Sequence, residues 1–150
     1  MRENEYDAWL ARAKAAYVED IEVNGDTPHD AAVEKSDRDF AQILPNGLST
    51  PGYSISVVTE GDRGVGILWV AEREMDGRRV LFIYDLEVDE AERGKGYGRA
   101  AMQLAEDEAR RRGIPRIELN VFGGNEIARR LYRSLGYLER AVLMGKDLGA

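Results

Sequence analysis

Apolar residues recur at intervals of three and four positions through the first part of the chain. This spacing is typical of a helix with one buried face, and it is carried by Trp9, Ala13, Ala16 and Tyr17. We predict this first helix over residues 5–22, ended by Asn24-Gly25. Thr27-Pro28 then supplies an N-cap and a proline at the first helical position. A second helix is therefore predicted to continue to about residue 44.

The pattern changes after a turn-rich loop at residues 45–52, which holds two prolines and two glycines. Runs rich in β-branched and aromatic residues follow, separated by short segments that contain Asp and Gly. Such runs are typical of strands joined by hairpin turns. We predict three consecutive strands, over residues 53–60, 66–73 and 79–88.

The last part of the chain alternates between helical and extended patterns. We predict a helix over residues 96–112, ended by Gly113, and a strand over residues 116–121. A further helix over residues 125–135 and a last strand or hairpin arm over residues 137–146 complete the order. The chain shows no repeats and no linkers, so residues 1–150 are expected to form a single α/β domain, of the α+β type.

A glycine-rich stretch, RGKGYG at residues 93–98, joins the third predicted strand to the helix that follows. Glycines let the backbone turn sharply and expose its N–H groups. Together with the positive end of a helix, such groups form a site for phosphate. A dinucleotide fingerprint would need glycine at position 99, where Arg99 stands, and no Walker string occurs. We predict a nucleotide-like cofactor held by its pyrophosphate.

Two motifs in order make the prediction more specific. The first is R-x-x-G-x-G, from Arg93 through Gly96 to Gly98, and the second is NEIARRLY at residues 125–132. This pairing resembles the GCN5-related N-acetyltransferases (GNAT), and the chain also resembles uncharacterised bacterial members of that family. The resemblance, closest over residues 82–137, implies a mixed, mostly antiparallel sheet with helices on both faces. The family usually begins with a strand, which here is expected to be short or absent.

The resemblance also implies acetyl-CoA as co-substrate. In the family, the glycine loop binds the pyrophosphate, and the preceding strand splays from its neighbour, carries a bulge and bonds the pantetheine arm through its backbone. The asparagine of the second motif both caps its helix and contacts the cofactor. The residues implied in cofactor binding are Leu86, Glu87, Val88, Arg93, Gly94, Lys95, Gly96, Tyr97, Gly98, Arg99 and Asn125.

Two residues are expected to carry the chemistry. By resemblance, Tyr132 protonates the departing thiolate, although a tyrosine here could also simply pack in the core. Some relatives place a glutamate where this chain has Asn120, which cannot remove a proton. Glu87 is therefore the expected base, with Asp85 a second candidate on the same strand face, predicted to lie opposite Tyr84. An ordered water could carry the proton instead.

Composition narrows the alternatives. The chain has no cysteine and one histidine, which excludes disulfides and cysteine nucleophiles and makes a metal site unexpected. Direct attack by the acceptor in a ternary complex is therefore expected. No apolar run reaches the length of a membrane span and no signal peptide precedes the first helix, so we expect a cytoplasmic protein.

Charge indicates the kind of partner. Residues 1–90 carry 9 basic and 20 acidic residues, whereas residues 91–150 carry 12 and 8. The basic part suits a polyanionic cofactor. The acidic part suits an amine, on a small molecule, a peptide or a protein, or it simply keeps the surface soluble. The sequence has no basic stripe interleaved with aromatic residues, so nucleic acid is not expected as a partner. An acyl-CoA sensor without turnover and a transferase of longer acyl groups remain alternatives. A homodimer is conceivable because a missing first strand leaves a sheet edge exposed.

Overall fold

The computed structural model describes residues 1–149 and has four helices and four strands as its main elements. The helices are α1 (Glu3–Gly25), α2 (His29–Ile43), α3 (Tyr97–Arg111) and α4 (Glu126–Ser134). The strands are β1 (Tyr53–Glu60), β2 (Arg63–Met75), β3 (Arg78–Val88) and β4 (Ile117–Leu119). They form one sheet in the order β1-β2-β3-β4. The first three are antiparallel and β4 runs parallel to β3, which confirms the predicted mixed sheet.

No strand precedes α1 in the part of the chain that the structure describes. The helix begins at Glu3, and the Met1 ammonium group donates a hydrogen bond to the Ile55 carbonyl of β1, at 3.1 Å. The N-terminus therefore covers one point of the β1 edge without adding a strand. This agrees with the expectation that the family's first strand is absent.

Large aromatic rings fill the space between the sheet and the pair α1 and α2. Trp9 is fully buried, and its ring meets Trp69 of β2 edge-on at a centroid distance of 5.4 Å. Phe40 of α2 lies 5.7 Å from the same ring. We call this set of packed rings the aromatic layer. Of the residues that predicted the buried face of α1, Trp9 is buried and Ala13 and Tyr17 are half-buried, whereas Ala16 is exposed and the other buried positions are Val18 and Ile21.

Small aliphatic residues fill the opposite side of the sheet. The inward face of α3 presents Ala101, Met102, Ala105 and Ala109, all buried. They pack on Val65, Leu81 and Ile83 from the sheet. Because alanine adds little width, α3 can lie close to the strands. We call this side the aliphatic layer.

Two local predictions need correction. Thr27 does not cap α2, because Pro28 occupies the N-cap position and the Thr27 hydroxyl donates to the Gly25 carbonyl at 3.3 Å. The strand predicted over residues 116–121 forms a ladder only from Ile117 to Leu119. An alternating pattern cannot show where a strand separates from its neighbour, and here β4 leaves β3 after three pairs.

The predicted last strand over residues 137–146 is wrong. After Tyr137 the chain continues without helix or strand to residue 149, and we call residues 138–149 the C-terminal arm. A strand needs a neighbouring strand to pair with its backbone N–H and C=O groups, and within residues 1–149 no strand pairs with the arm. In this part of the chain, no helix is long and apolar enough to cross a membrane.

Candidate active site

The site is built around a bulge in β3. Val70 of β2 pairs with Ile83, whereas the preceding residue, Trp69, pairs with Asp85, so Tyr84 is an extra residue. Paired residues of an antiparallel ladder share a face, which puts Asp85 on the aromatic side with Trp69. Tyr84 lies on that side too, stacked on Trp69 at 4.8 Å. The prediction that Asp85 and Tyr84 lie on opposite faces is therefore wrong, because the bulge interrupts the alternation.

Asp85 is the carboxylate most affected by these surroundings. Burial beside the aromatic layer raises its pKa to about 6, and the nearby negative charge of Glu87 adds to the effect. Asp20 of α1 contributes in the same direction. Glu87 pairs with Ile67 and so faces the same side as Asp85. The negative charges of Glu87 and Asp20 therefore both act on Asp85 near the end of β3.

Beyond the bulge, β3 has an open edge. The ladder to β4 covers only Leu81 to Ile83, so the backbone from Leu86 to Val88 has no β4 partner among the described residues. The two strands part here and leave a gap along the free edge of β3. Such an edge can accept an extended molecule through main-chain hydrogen bonds, as an added strand would.

The glycine loop closes the far end of this gap. Gly94 and Gly96 have φ angles of +77° and +88°, a conformation that glycine adopts without strain. A side chain at either position would meet open space rather than protein. Gly96 is the N-cap residue of α3, and no side chain bonds the first N–H groups of that helix. These donors therefore lie at the positive end of α3, next to open space at Gly94 and Gly96.

Gly98 has a different role. A Cβ atom there would come within 3.3 Å of the Leu131 side chain of α4. Gly98 is therefore needed for the close approach of α3 to α4, and Tyr97 beside it packs against the aliphatic layer.

A cluster of ion pairs around Glu92 holds the glycine loop against β2. Glu92 accepts a hydrogen bond from Lys95 at 3.1 Å and forms an ion pair with Arg63 of β2. Its hydrogen bond from Lys95, with that from Arg63, keeps the pKa of Glu92 below its usual range. Arg93 donates from Nε to the Val88 carbonyl at 3.1 Å, so the loop is tied back to β3. No motif in the sequence indicates the role of Glu92, which sequence reasoning missed.

Arg99 joins the two helices next to the loop. Its Nη2 donates to the Ser134 hydroxyl at 2.7 Å, which places the guanidinium at the last turn of α4. The three basic residues predicted to bind phosphate, Arg93, Lys95 and Arg99, therefore all already have protein partners.

Tyr132 of α4 lies close enough to Asp85 for the charge of that carboxylate to act on it. It packs against the aliphatic layer, and its hydroxyl makes no hydrogen bond within residues 1–149. Burial, together with the negative charge of Asp85, raises the pKa of Tyr132. Asn125 caps this helix, because its Oδ1 accepts from the Ala128 N–H at 3.2 Å. Asn120 is exposed just after β4.

Other polar and aromatic candidates lie away from this gap or in the core. Trp9 and Trp69 are buried in the aromatic layer. The Tyr53 hydroxyl lies 3.3 Å from that of Tyr84. His29 is exposed and bonds Glu22 at 2.8 Å, in keeping with a surface role. The described residues contain no group of three or more His, Cys, Asp or Glu placed to hold a metal ion.

The geometry can be tested against the co-substrate that the motifs imply. The uncapped N-terminus of α3 and the open glycine loop suit a diphosphate. The free edge of β3 suits a linear amide-bearing chain that ends between Asp85 and Tyr132. The residues present therefore fit coenzyme A thioesters.

Comparison with known proteins agrees with this geometry. The family model described as "Acetyltransferase (GNAT) family" matches residues 10–137. An uncharacterized N-acetyltransferase of Bacillus subtilis, YycN, is 33% identical over 99% of this chain and 96% of its own length. The crystal structure of that protein superposes with a TM-score of 0.93, covering 100% of this chain and 96% of the other. Mycothiol acetyltransferase of Beutenbergia cavernae is 32% identical over 93% of this chain, which is 43% of that protein.

Proposed function

The chain belongs to the GNAT acetyltransferase family, and we propose that it moves the acetyl group of acetyl-CoA to a primary amine by direct attack in a ternary complex. We take residues 1–150 as one transferase domain. The observation that carries the proposal is the gap between β3 and β4 beyond Ile83, with Asp85 just past it in β3 and Tyr132 close enough for the charge of Asp85 to act on it. With no cysteine in the chain, a thioester-linked enzyme intermediate has no attachment point.

The cofactor-binding part rests on backbone donors. The N–H groups from Gly94 to Arg99 would hold the pyrophosphate, and Leu86, Glu87 and Val88 would bond the pantetheine arm along the free edge of β3. Asn125 would contact the arm from the start of α4. When bound, acetyl-CoA supplies an activated acetyl group, and a β3 backbone amide near the bulge would stabilise the developing oxyanion.

The base is the point at which the structure adds most to the sequence. Burial holds the pKa of Asp85 at about 6, close to the value that suits a proton acceptor near neutral pH. We propose Asp85 as the group that takes the proton from the amine. Glu87, which the motif resemblance favours, remains the alternative base. In either case, the second carboxylate would attract a cationic acceptor into the gap.

Tyr132 is the proposed acid. Its raised pKa keeps the hydroxyl protonated near neutral pH, and that hydroxyl has no partner within residues 1–149 to compete for the proton. It would donate the proton to the departing thiolate.

The acceptor is proposed to be an amine on a small molecule or on a peptide or protein. The three carboxylates Asp20, Asp85 and Glu87 support a cationic group rather than an anionic one. The similar mycothiol acetyltransferase supports an acetyl-transfer reaction by its name, without indicating the acceptor of this chain.

The test is thiol release from acetyl-, propionyl- and succinyl-CoA across a panel of amines, polyamines and short peptides. Tyr132→Phe should lower kcat by about 100-fold and leave acetyl-CoA binding nearly unchanged. Tyr17→Phe is the matched control and should keep normal turnover. It removes a tyrosine hydroxyl on α1 that donates to Asp39 of α2. Acetyl-CoA binding with no acceptor modified would instead support a sensor, and a preference for a longer acyl group would overturn the acetyl assignment.

A further inference from the structure

Arg73 is an exposed cation on the same face of the sheet as the proposed base. Side chains alternate along β2, so Arg73, Ala71 and Trp69 all point to the side of the aromatic layer. Phe82 of β3 pairs with Ala71, and Asp85 pairs with Trp69, and paired residues share a face. Arg73 therefore lies beside the part of β3 that leads to the candidate site.

Two aromatic rings of β3 position the Arg73 guanidinium. Its Cζ atom lies 5.0 Å from the centroid of the Phe82 ring and 5.9 Å from that of the Tyr84 ring. A planar guanidinium is attracted to aromatic faces, and such contacts leave its N–H groups able to donate hydrogen bonds. The rings therefore orient a group that can still bind an anion.

No carboxylate of the described residues forms an ion pair with this guanidinium. The acidic neighbours are bound to other arginines, Glu72 to Arg79 and Glu118 of β4 to Arg116. The planar N–H groups of an arginine match the two oxygens of a carboxylate, which they bind through parallel hydrogen bonds. An arginine oriented in this way, with no acidic partner within residues 1–149, suits a carboxylate brought by a ligand.

Two tyrosine hydroxyls lie next to the same position. The Tyr53 hydroxyl is 3.3 Å from that of Tyr84, whose ring is one of the two that Arg73 contacts. Burial raises the pKa of Tyr84 to about 12, so its hydroxyl keeps its proton near neutral pH. One O–H is used in the bond between the two tyrosines, which leaves the other O–H to donate to an anion.

We propose that Arg73 binds a carboxylate of the acceptor while Asp85 faces its amine, so that the enzyme selects acceptors with an amine at one end and a carboxylate at the other. The assignment of Arg73 rests on the proposed function, because it needs the amine to bind beside Asp85. Glu87 lies on the Asp85 side and Arg73 on the other, so the charges of the site run in the order that such a zwitterion requires.

The spacing of the two groups sets the length of the acceptor. Phe82, which Arg73 contacts, and Asp85 are three residues apart in β3, which is at most about 10 Å along a strand. An α-amino acid carries both groups on one carbon and is too short. A short peptide, at about 3.5 Å per residue, or an amino acid whose amine ends a chain of several carbons, is long enough to reach both groups.

The first test compares two acceptors of equal length that differ only in the charge of one end, 6-aminohexanoate and 6-aminohexanamide. In the wild type, kcat/KM for thiol release from acetyl-CoA should be about 10- to 100-fold higher for the carboxylate, the range expected for hydrogen bonds to a charged group. Arg73→Gln should remove this preference by raising the KM for 6-aminohexanoate, with kcat and both values for the amide nearly unchanged. Arg73→Lys, which keeps the charge, should restore part of it.

The matched control is Arg78→Gln, which makes the same charge change at an exposed arginine beside the β2–β3 turn. It should keep the preference for the carboxylate. Equal kcat/KM values for the two acceptors in the wild type would overturn the role of Arg73 and leave the transferase assignment standing. An equal loss with both acceptors in Arg73→Gln would overturn it too, because it would show a structural role only.

The second test separates this role from the proposed reaction. Calorimetry measures the binding of the same two compounds to the protein loaded with coenzyme A. The wild type should bind 6-aminohexanoate about 10-fold or more tightly than the amide, and Arg73→Gln should bind the two alike. That pattern without turnover of any acceptor would support the carboxylate site and contradict the acetyltransferase proposal. Equal binding of the two compounds by the wild type would contradict the carboxylate site.

Discussion

The two layers that cover the sheet differ in the size of their side chains, and each size suits a different task. On the aromatic layer, Trp9, Phe40 and Trp69 form a thick, water-excluding packing beside the bulge of β3. On the aliphatic layer, alanines let α3 lie close to the strands. Burial beside the aromatic layer raises the pKa of Asp85. Close packing in the aliphatic layer brings the glycine loop, at the start of α3, to the end of β3. The candidate site forms where the two layers meet.

The bulge in β3 decides on which face of the sheet the carboxylates of the candidate site lie. Without the extra residue at Tyr84, strict alternation would put Asp85 on the aliphatic side, away from Trp69. The inserted residue turns both carboxylates, Asp85 and Glu87, toward the aromatic layer. One local irregularity therefore decides which layer surrounds the proposed base.

The largest expected effect is on the aromatic layer itself. Trp9→Ala should lower the free energy of unfolding by about 3–5 kcal/mol, because it leaves a cavity at a fully buried ring. Trp9→Phe should cost less, since it keeps much of the ring and removes an indole N–H that has no hydrogen-bond partner within residues 1–149. Chemical denaturation measures both. Equal losses for the two variants would contradict this account of the layer.

A smaller effect on the free energy of unfolding should come from removing the buried negative charge of Asp85. Its pKa of about 6 in the folded chain lies above the ordinary value, so the folded state binds the proton more tightly than the unfolded state. The contribution of Asp85 to stability should therefore fall as pH rises from about 4 to 6 and stay lower above that range. Asp85→Asn removes this loss and should be more stable at pH 8 by roughly 1–3 kcal/mol.

The difference between Asp85→Asn and the wild type should shrink as pH falls and vanish near pH 4. Urea unfolding at several pH values measures it. The exposed Asp62→Asn in the β1–β2 turn is the matched control and should follow the wild-type curve. A pH-independent gain in stability for Asp85→Asn would show that burial of the charge is not the cause.

The smallest effect is expected on the side of the glycine loop. Glu92→Gln weakens the ion pairs to Lys95 and Arg63 that position the loop. The KM for acetyl-CoA should rise by less than about fivefold with kcat unchanged, because the cationic partners Lys95 and Arg63 are more than half exposed and ion pairs open to water contribute little. Glu90→Gln makes the same charge change at an exposed neighbour and should leave KM as it was. A loss of kcat would mean that Glu92 affects more than the position of the loop.

Periodicity predicted the helices to within a few residues, because each packs one face against its neighbours, and runs of β-branched and aromatic residues between turns predicted the first three strands. The glycines at positions 94 and 96 also predicted the turn between β3 and α3, because glycine adopts positive φ angles without strain. The bulge at Tyr84, the three-residue length of β4 and the unpaired arm could not be read from local pattern, since each depends on a neighbouring strand. For the same reason, Asp85 could be recognised as a candidate but not separated from Glu87 until its burial was known.

The most direct test of the site is the pH dependence of kcat/KM for thiol release with an active amine. The wild type should show an activity limb with a midpoint near pH 6, reflecting Asp85. Asp85→Asn should lose about 100- to 10,000-fold of this activity and lack the limb, whereas Glu87→Gln should keep the limb. If Asp85→Asn retains both the rate and the limb, or if only Glu87→Gln removes them, Asp85 is not the base and the central claim fails.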